Sequence, residues 1–385
     1  MFRKMPFILV AVILAILVLD PLISLSSKQI LYAISLSIKS FIVFLLPIII
    51  FGLLFRAALN LAHHATRVIG LILIGVCCSN FLSTFLSHYV GIWIYQFDLS
   101  ILIPHGSDGL KAAWGWELPK LIPNQVAMFS GLVLGIFAGL VKGDITIRVA
   151  EALEMIISKI LTSFMYLIPI FVAGFIVKLQ FDGVITMIIK DYALILAIIA
   201  LAQFGYILLA YFLLSNGRAG EFLQSLKNML PAAVSGFSTM SSAASMPLTI
   251  IGAENNAKDK DLAGSVIPAT VNIHLIGDCF AIPIFAYAVL KNYGMPEPTL
   301  MSYLVFTLYF VLAKFSVAAI PGGGIIVMLP ILEAYLGFNT DMMSLITALY
   351  ILFDPVITCA NVLGNGAFAK LMDRVLSRDN KMLEN

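Results

Sequence analysis

The sequence predicts an all-α polytopic membrane protein of eight transmembrane helices plus two re-entrant helical hairpins, and three observations support it. The 385 residues are 61% hydrophobic and 11% charged, with a mean hydropathy of +1.02, against roughly a quarter charged in soluble domains. Apolar runs long enough to cross a bilayer, about 20 helical residues, recur from Pro6 onward with short polar connections. Near the C-terminus two polar, glycine-rich stretches interrupt the apolar chain, Val271-Asn272-Ile273-His274-Leu275-Ile276-Gly277-Asp278 and Cys359-Ala360-Asn361-Val362-Leu363-Gly364-Asn365-Gly366. Lipid offers no water to exposed backbone groups, so a helix breaks there only where the freed groups line a cavity or bind something. Two broken helices in corresponding positions point to the substrate site of a secondary transporter.

In chain order the spans are expected over 6–25, 30–61, 67–96, 123–141, 149–178, 183–214, 262–290 and 340–372, with apolar hairpins at 225–252 and 301–336. Arg3 and Lys4 precede a first helix read as retained, and Asp20-Pro21 marks its end. His63-His64 with Arg67 reads as an interfacial loop, and Arg148, Glu151 and Glu154 as a solvated helix start favoured by the dipole. Small residues and prolines mark the hairpin tips, Ser238 to Pro247 in the first and Ala318-Ala319-Ile320-Pro321-Gly322-Gly323-Gly324 in the second. The aromatic stretch Tyr303 to Phe315 is expected to face lipid or pack. Hairpin followed by broken helix occurs at 225–290 and again at 301–372, the pattern of an inverted repeat.

Charge gives the orientation. With Arg3 and Lys4 in the cytoplasm, the loops on that side carry Arg67, Lys142 with Arg148, Arg218 with Lys227, and Lys258 with Lys260, and the tail carries Arg374, Arg378 and Lys381. This agrees with the positive-inside rule and places both termini in the cytoplasm. The connections Asp98 to Lys120 and Lys291 to Thr299 fall outside. The net charge of +2, without basic clusters interleaved with aromatics, gives nucleic-acid binding no support. Cys77, Cys78, Cys279 and Cys359 read as small buried apolar side chains, because neither a disulfide framework nor a spaced Cys/His metal set is present.

The order Ser-Ser-x-x-Ser-Met-Pro, Val-Asn-Ile-His, Ile-Pro-Gly-Gly-Gly and Asn-Val-Leu-Gly-Asn-Gly over residues 225–375 resembles the dicarboxylate/amino acid:cation symporter family, the glutamate and aspartate transporters. The resemblance implies an elevator fold and a homotrimer embedded in membrane lipids of the plasma or inner membrane. It implies a small-molecule substrate and no cofactor beyond a coupling cation, sodium or proton. Scaffold helices would occupy 1–66 and 97–182. The transport domain would comprise 67–96 and 183–385, holding helix 6, hairpin 1 (225–252), helix 7, hairpin 2 (301–336) and helix 8. Ser241 and Ser242 match the serine-rich first tip, which holds a substrate carboxylate, as helix N-termini favour anions. Pro321, Gly322 and Gly323 match the gating tip of the second hairpin. Asp354, Thr358, Asn361 and Asn365 match substrate- or ion-contacting positions of the last helix. The resemblance also implies a candidate sodium position near Asn272, Asn361 and Asn365.

Departures carry equal information. The arginine that pairs an acidic side chain falls at Ile357, which favours a neutral or singly anionic substrate. An aspartate of the family is replaced by Asn365, and Asn-Met-Asp-Gly-Thr by Asn272-Ile273-His274 followed by Gly277-Asp278. A charge at the bilayer centre costs at least roughly 2.5 to 3.5 kcal/mol, so His274, Asp278, Lys314 and Asp354 are functional candidates. Lys314 is expected to supply positive charge where relatives bind sodium, neutralising Asp278 or Asp354, with coupling moved toward protons through His274 and Asp278. The leading function is therefore cation-coupled symport of a small organic anion or amino acid. A channel on the same scaffold is the alternative. An enzyme would need Ser241 or Ser242, His274 and Asp354 to act together, a coincidence of residue types.

Overall fold

The computed structural model describes residues 5–63, 67–97, 109–119, 121–141, 144–183, 185–317 and 321–383. Thirteen α-helices and one short 3-10 turn account for its regular structure among those residues, and no strand occurs there. They are α1 (Met5–Leu19), α2 (Leu25–His63), α3 (Arg67–Tyr95), α4 (Asn124–Val141), α5 (Asp144–Phe181), α6 (Ile185–Leu214), α7 (Ala219–Thr239), α8 (Ser242–Glu254), α9 (Lys260–Thr270), α10 (Ile276–Asn292), α11 (Leu300–Lys314), α12 (Gly323–Leu336) and α13 (Thr340–Leu383). Four described stretches are long and apolar enough to cross a membrane, Leu25–Arg56, Ile69–Tyr95, Tyr192–Leu214 and Thr340–Leu376. Shorter apolar helices include Val126–Val141 and Gly323–Leu336. His64, Asp98, Lys120, Lys142 and the 318–320 part of the second tip lie outside the described residues.

Small residues set the packing of α1, α2, α4 and α5, which lie chiefly against one another. Gly131 and Gly135 of α4 bring it onto the Phe51 and Phe55 carbonyls of α2, and a Cβ at either would collide with that backbone. Without a hydrophobic drive between helices in lipid, such close backbone approach supplies the contact energy. Asp20 ends α1 in a short 3-10 turn and pairs with Lys28 at 2.7 Å. Glu151 and Glu154 are not solvated alone: Arg56 of α2 bonds Glu154 at 3.1 Å and approaches Glu151 at 3.8 Å, because α5 lies alongside α2.

The remaining helices pack around α13 and α10. α7 and α8 form an antiparallel hairpin whose open end is tied by Asn256 donating to the Ser225 carbonyl (3.0 Å). Its tip turns in two residues, Met240 in the left-handed region (φ 53°) and Ser241, whose hydroxyl caps α8 by accepting from Ala244 N–H. α11 and α12 form the second hairpin, with Tyr309 stacked on Tyr335 at 4.2 Å. Tyr303, Phe306 and Phe310 are buried packing residues. Just beyond the open end of the first hairpin, Asp373 of α13 accepts from the Lys258 and Asp259 N–H groups (3.0 and 2.9 Å), and Arg374 reaches Asn216.

One expectation is corrected. The first break is real: residues 271–275 separate α9 from α10. The second is not, since α13 runs unbroken through Cys359–Gly366. Its asparagines bond neighbouring elements instead of interrupting their own helix. Gly364 and Gly366 serve close packing: a Cβ at Gly364 would press on Ile276, and one at Gly366 would collide with Met229 and Tyr211. The two halves are thus alike in their hairpins and unlike in the helix that follows.

Candidate functional site

The break at 271–275 leaves backbone groups without helical partners, and buried polar groups of that kind require bonds. Asn80 of α3 supplies two of them, donating to the Ile273 carbonyl (2.7 Å) and accepting from Leu275 N–H (3.4 Å). Asn365 of α13 donates to the His274 carbonyl (3.1 Å) and to the Asn361 carbonyl (3.0 Å), and accepts from Thr270 Oγ1 (3.0 Å). Asn361 Oδ1 accepts from Gly277 N–H (2.8 Å) and Asp278 N–H (3.4 Å), the first turn of α10. Gly277 permits this approach, since a Cβ there would strike the Ile357 carbonyl.

Asp278 lies at the N-terminus of α10 and Lys314 at the C-terminus of α11, the ends at which each charge is favoured by the helix dipole. Their side chains, 1% and 0% exposed, form an ion pair with Lys314 Nζ 2.8 Å from Asp278 Oδ2. Asp278 Oδ1 accepts from Tyr350 OH (2.8 Å) and Asn361 Nδ2 (3.3 Å). Lys314 also lies 4.6 Å from the centre of the Phe310 ring. Every oxygen of this buried carboxylate is therefore engaged, and Gly324 of α12 closes over it without room for a side chain. Of the two partners expected for Lys314, the fold selects Asp278.

Asp354 is bonded differently. Its Oδ2 accepts from Gly322 N–H at 2.7 Å and its Oδ1 from Thr358 Oγ1 at 3.0 Å. Gly322 has φ +71°, a left-handed conformation that glycine adopts without a Cβ penalty, and it caps α12. The second hairpin tip is thereby attached to α13. The first hairpin reaches the same stretch through Gly236 in its α7 arm, which abuts Val362 and the Thr358 carbonyl. Tyr350, Asp354, Thr358, Asn361 and Asn365 recur at spacings of three or four and form one stripe along α13. Ser241, Ser242, Pro321, Gly322, Gly323 and Ile357 are all buried.

His274 and Asn272 stand apart from these carboxylates. The His274 ring meets Ser79 Oγ through Nε2 (2.9 Å) and lies on Phe368 with centroids 4.4 Å apart; its described hydrogen bonds do not reach Asp278. Asn272 is exposed and borders a cavity of about 700 Å³, lined also by Arg56, Glu154, Leu312 and Phe315, between α2, α5 and the broken span. Ser79, Asn80 and Tyr350 were not among the sequence candidates. A signal was present in α3, where Ser79-Asn80, Ser83-Thr84 and Ser87-His88 repeat every four residues and line one helical face. Among the described residues no group of three His, Cys, Asp or Glu could hold a metal.

Comparison with known proteins bears on the class of protein. The chain is 26% identical to human excitatory amino acid transporter 1 over 233 residues, covering 58% of this chain and 42% of that protein. It is 24% identical to mouse excitatory amino acid transporter 4 over 299 residues, covering 76% and 50% respectively. Each match thus spans half or less of the relative's length. The family model for sodium:dicarboxylate symporters, a class of transporters and not of enzymes, matches residues 5–375, and the chain belongs to that family.

Proposed function

We infer that the chain is a secondary symporter that moves a small organic anion or amino acid across a membrane, coupled to a cation, by displacement of α3 and α6–α13 against α1, α2, α4 and α5. The observation that carries this is the convergence of two hairpins and a broken helix on one polar stripe of α13, with Gly322 N–H on Asp354, Gly236 against Thr358 and Asn361 on the start of α10. The N-terminus of α8 at Ser241 and Ser242 suits a solute carboxylate, since the positive end of the helix dipole favours an anion there. Thr358 and the glycine tip of the second hairpin form the facing wall. Ile357 in place of a bidentate cation favours a neutral or singly anionic solute. A homotrimer in the plasma or inner membrane, with both termini cytoplasmic, completes the reading.

Uptake by purified protein in liposomes tests it, using labelled amino acids, monocarboxylates and dicarboxylates under separately imposed sodium and proton gradients. Saturable uptake driven by one gradient is the expected result. Current without saturable uptake would replace the carrier with a channel, for which the cavity beside Arg56 and Asn272 would be the starting path.

A further inference from the structure

We propose that Asp354 takes up and releases a coupling proton, and that Lys314 withdraws Asp278 from this role by acting as its tethered counter-cation; the proposal rests on the carrier reading above. Both carboxylates are buried, but they differ in what surrounds them. Asp278 has an ammonium, a phenol and an amide on its two oxygens, and the ammonium cannot diffuse away. Asp354 has one backbone N–H and one hydroxyl, and no ion pair involves it among the described residues. A buried carboxylate without a cation is costly, and the usual resolution is neutralisation.

The groups on Asp354 suit a proton better than a metal ion. Hard cations require several oxygen lone pairs, whereas Gly322 N–H presents hydrogen. Thr358 can donate or accept as its hydroxyl rotates. With the carboxyl protonated at Oδ1, Asp354 donates to Thr358 Oγ1 while Oδ2 still accepts from Gly322, so no bond is lost and no heavy atom need move. The proton comes from water on the loading side and returns to water on the other.

Charge on Asp354 also reaches the second hairpin. Gly322 N–H bonds a carboxylate in one state and a neutral acid in the other, and the charged bond is roughly twice as strong. An anionic solute beside α13 would raise the proton affinity of Asp354, and by linkage the proton would raise affinity for the solute. The titratable groups facing this region are Asp278 on α10, Lys314 on α11 and Tyr350 on α13 itself. On α5, which meets Gly322 through Ile168, Tyr166 is half exposed; Glu333 lies in the C-terminal part of α12.

Infrared difference spectroscopy of the full chain in lipid, stepped in pH, reads a protonated carboxyl band directly and needs no solute. The band should titrate in wild type, vanish in Asp354→Asn and survive in the double variant Asp278→Asn with Lys314→Met. Persistence in Asp354→Asn, or loss in the double variant, overturns the assignment. A band that responds to sodium at fixed pH also overturns it, in favour of a metal ion. If Asp354→Asn fails to fold, Asp354→Glu decides: a displaced midpoint is expected, and an unchanged titration overturns the proposal. Failure of liposome uptake alone counts against the carrier reading, because the spectroscopic test does not depend on it.

Discussion

The two buried carboxylates show how much a single neighbour decides. Asp278 and Asp354 have the same chemistry and comparable burial, yet one has a lysine and the other a glycine amide and a threonine. For a buried pair, removing one partner is far costlier than removing both, because the survivor is left charged in a low dielectric. Lys314→Met should therefore lower stability by about 3–5 kcal/mol, whereas Asp278→Asn combined with Lys314→Met should be much less destabilised. Unfolding of both in lipid or mild detergent checks this, and equal destabilisation would contradict it. If residue 357 faces the solute as proposed, Ile357→Arg should raise the preference for an acidic over a neutral solute by about tenfold or more, read as a ratio of competition constants. An unchanged ratio would place residue 357 away from the solute. Asp278 and Lys314 are conspicuous in an apolar chain, but 36 positions separate them, and nothing local says that they meet.

At the scale of elements, the broken span depends on residues outside it. Asn80 belongs to α3 and satisfies the open backbone at Ile273 and Leu275. A buried carbonyl left without a donor costs about 1–3 kcal/mol. Asn80→Ala should destabilise the protein by that order and speed hydrogen exchange selectively at 271–275; unchanged exchange at 271–275 would contradict this role for Asn80. The α10–α13 contact depends on Gly277, where a methyl would meet the Ile357 carbonyl, the Asn361 amide and Ala360. Overpacking of this kind typically costs about 1–3 kcal/mol. Gly277→Ala should lower the unfolding midpoint accordingly, and retention of the wild-type midpoint would show that the two helices can separate freely. The unbroken α13 belongs to the same lesson. A segment rich in glycine and asparagine reads as a break when its neighbours are unknown, and becomes a packing and bonding face once α6, α7 and α10 lie against it.

Across the whole molecule, contacts between the two groups of helices are sparse and specific. Lys39 of α2 donates to the Thr340 carbonyl and to Ser344 Oγ (2.8 Å) at the start of α13. If α13 travels while α2 stays, these bonds exist in one arrangement only, and they bias the equilibrium toward it. Lys39→Met should broaden or displace the distance distribution between spin labels on α2 and α13, measured by pulsed electron resonance in nanodiscs. An identical distribution would mean that Lys39 does not latch the two groups.

Composition and the lengths of apolar runs were sufficient for a helical membrane protein, because lipid leaves a spanning backbone few alternatives. Polar and glycine-rich sequence also marked the hairpin tips, whereas Asp354, Thr358, Asn361 and Asn365 were singled out by the family resemblance, and their common stripe emerged only once α13 proved unbroken. Tertiary structure decided which of those signals interrupts a helix, that Lys314 belongs to Asp278, that His274 bonds Ser79 and that Asn80 holds the break. Those outcomes depend on which helices become neighbours, and pairing between distant helices is fixed by packing over the whole bundle, which no local window of sequence contains.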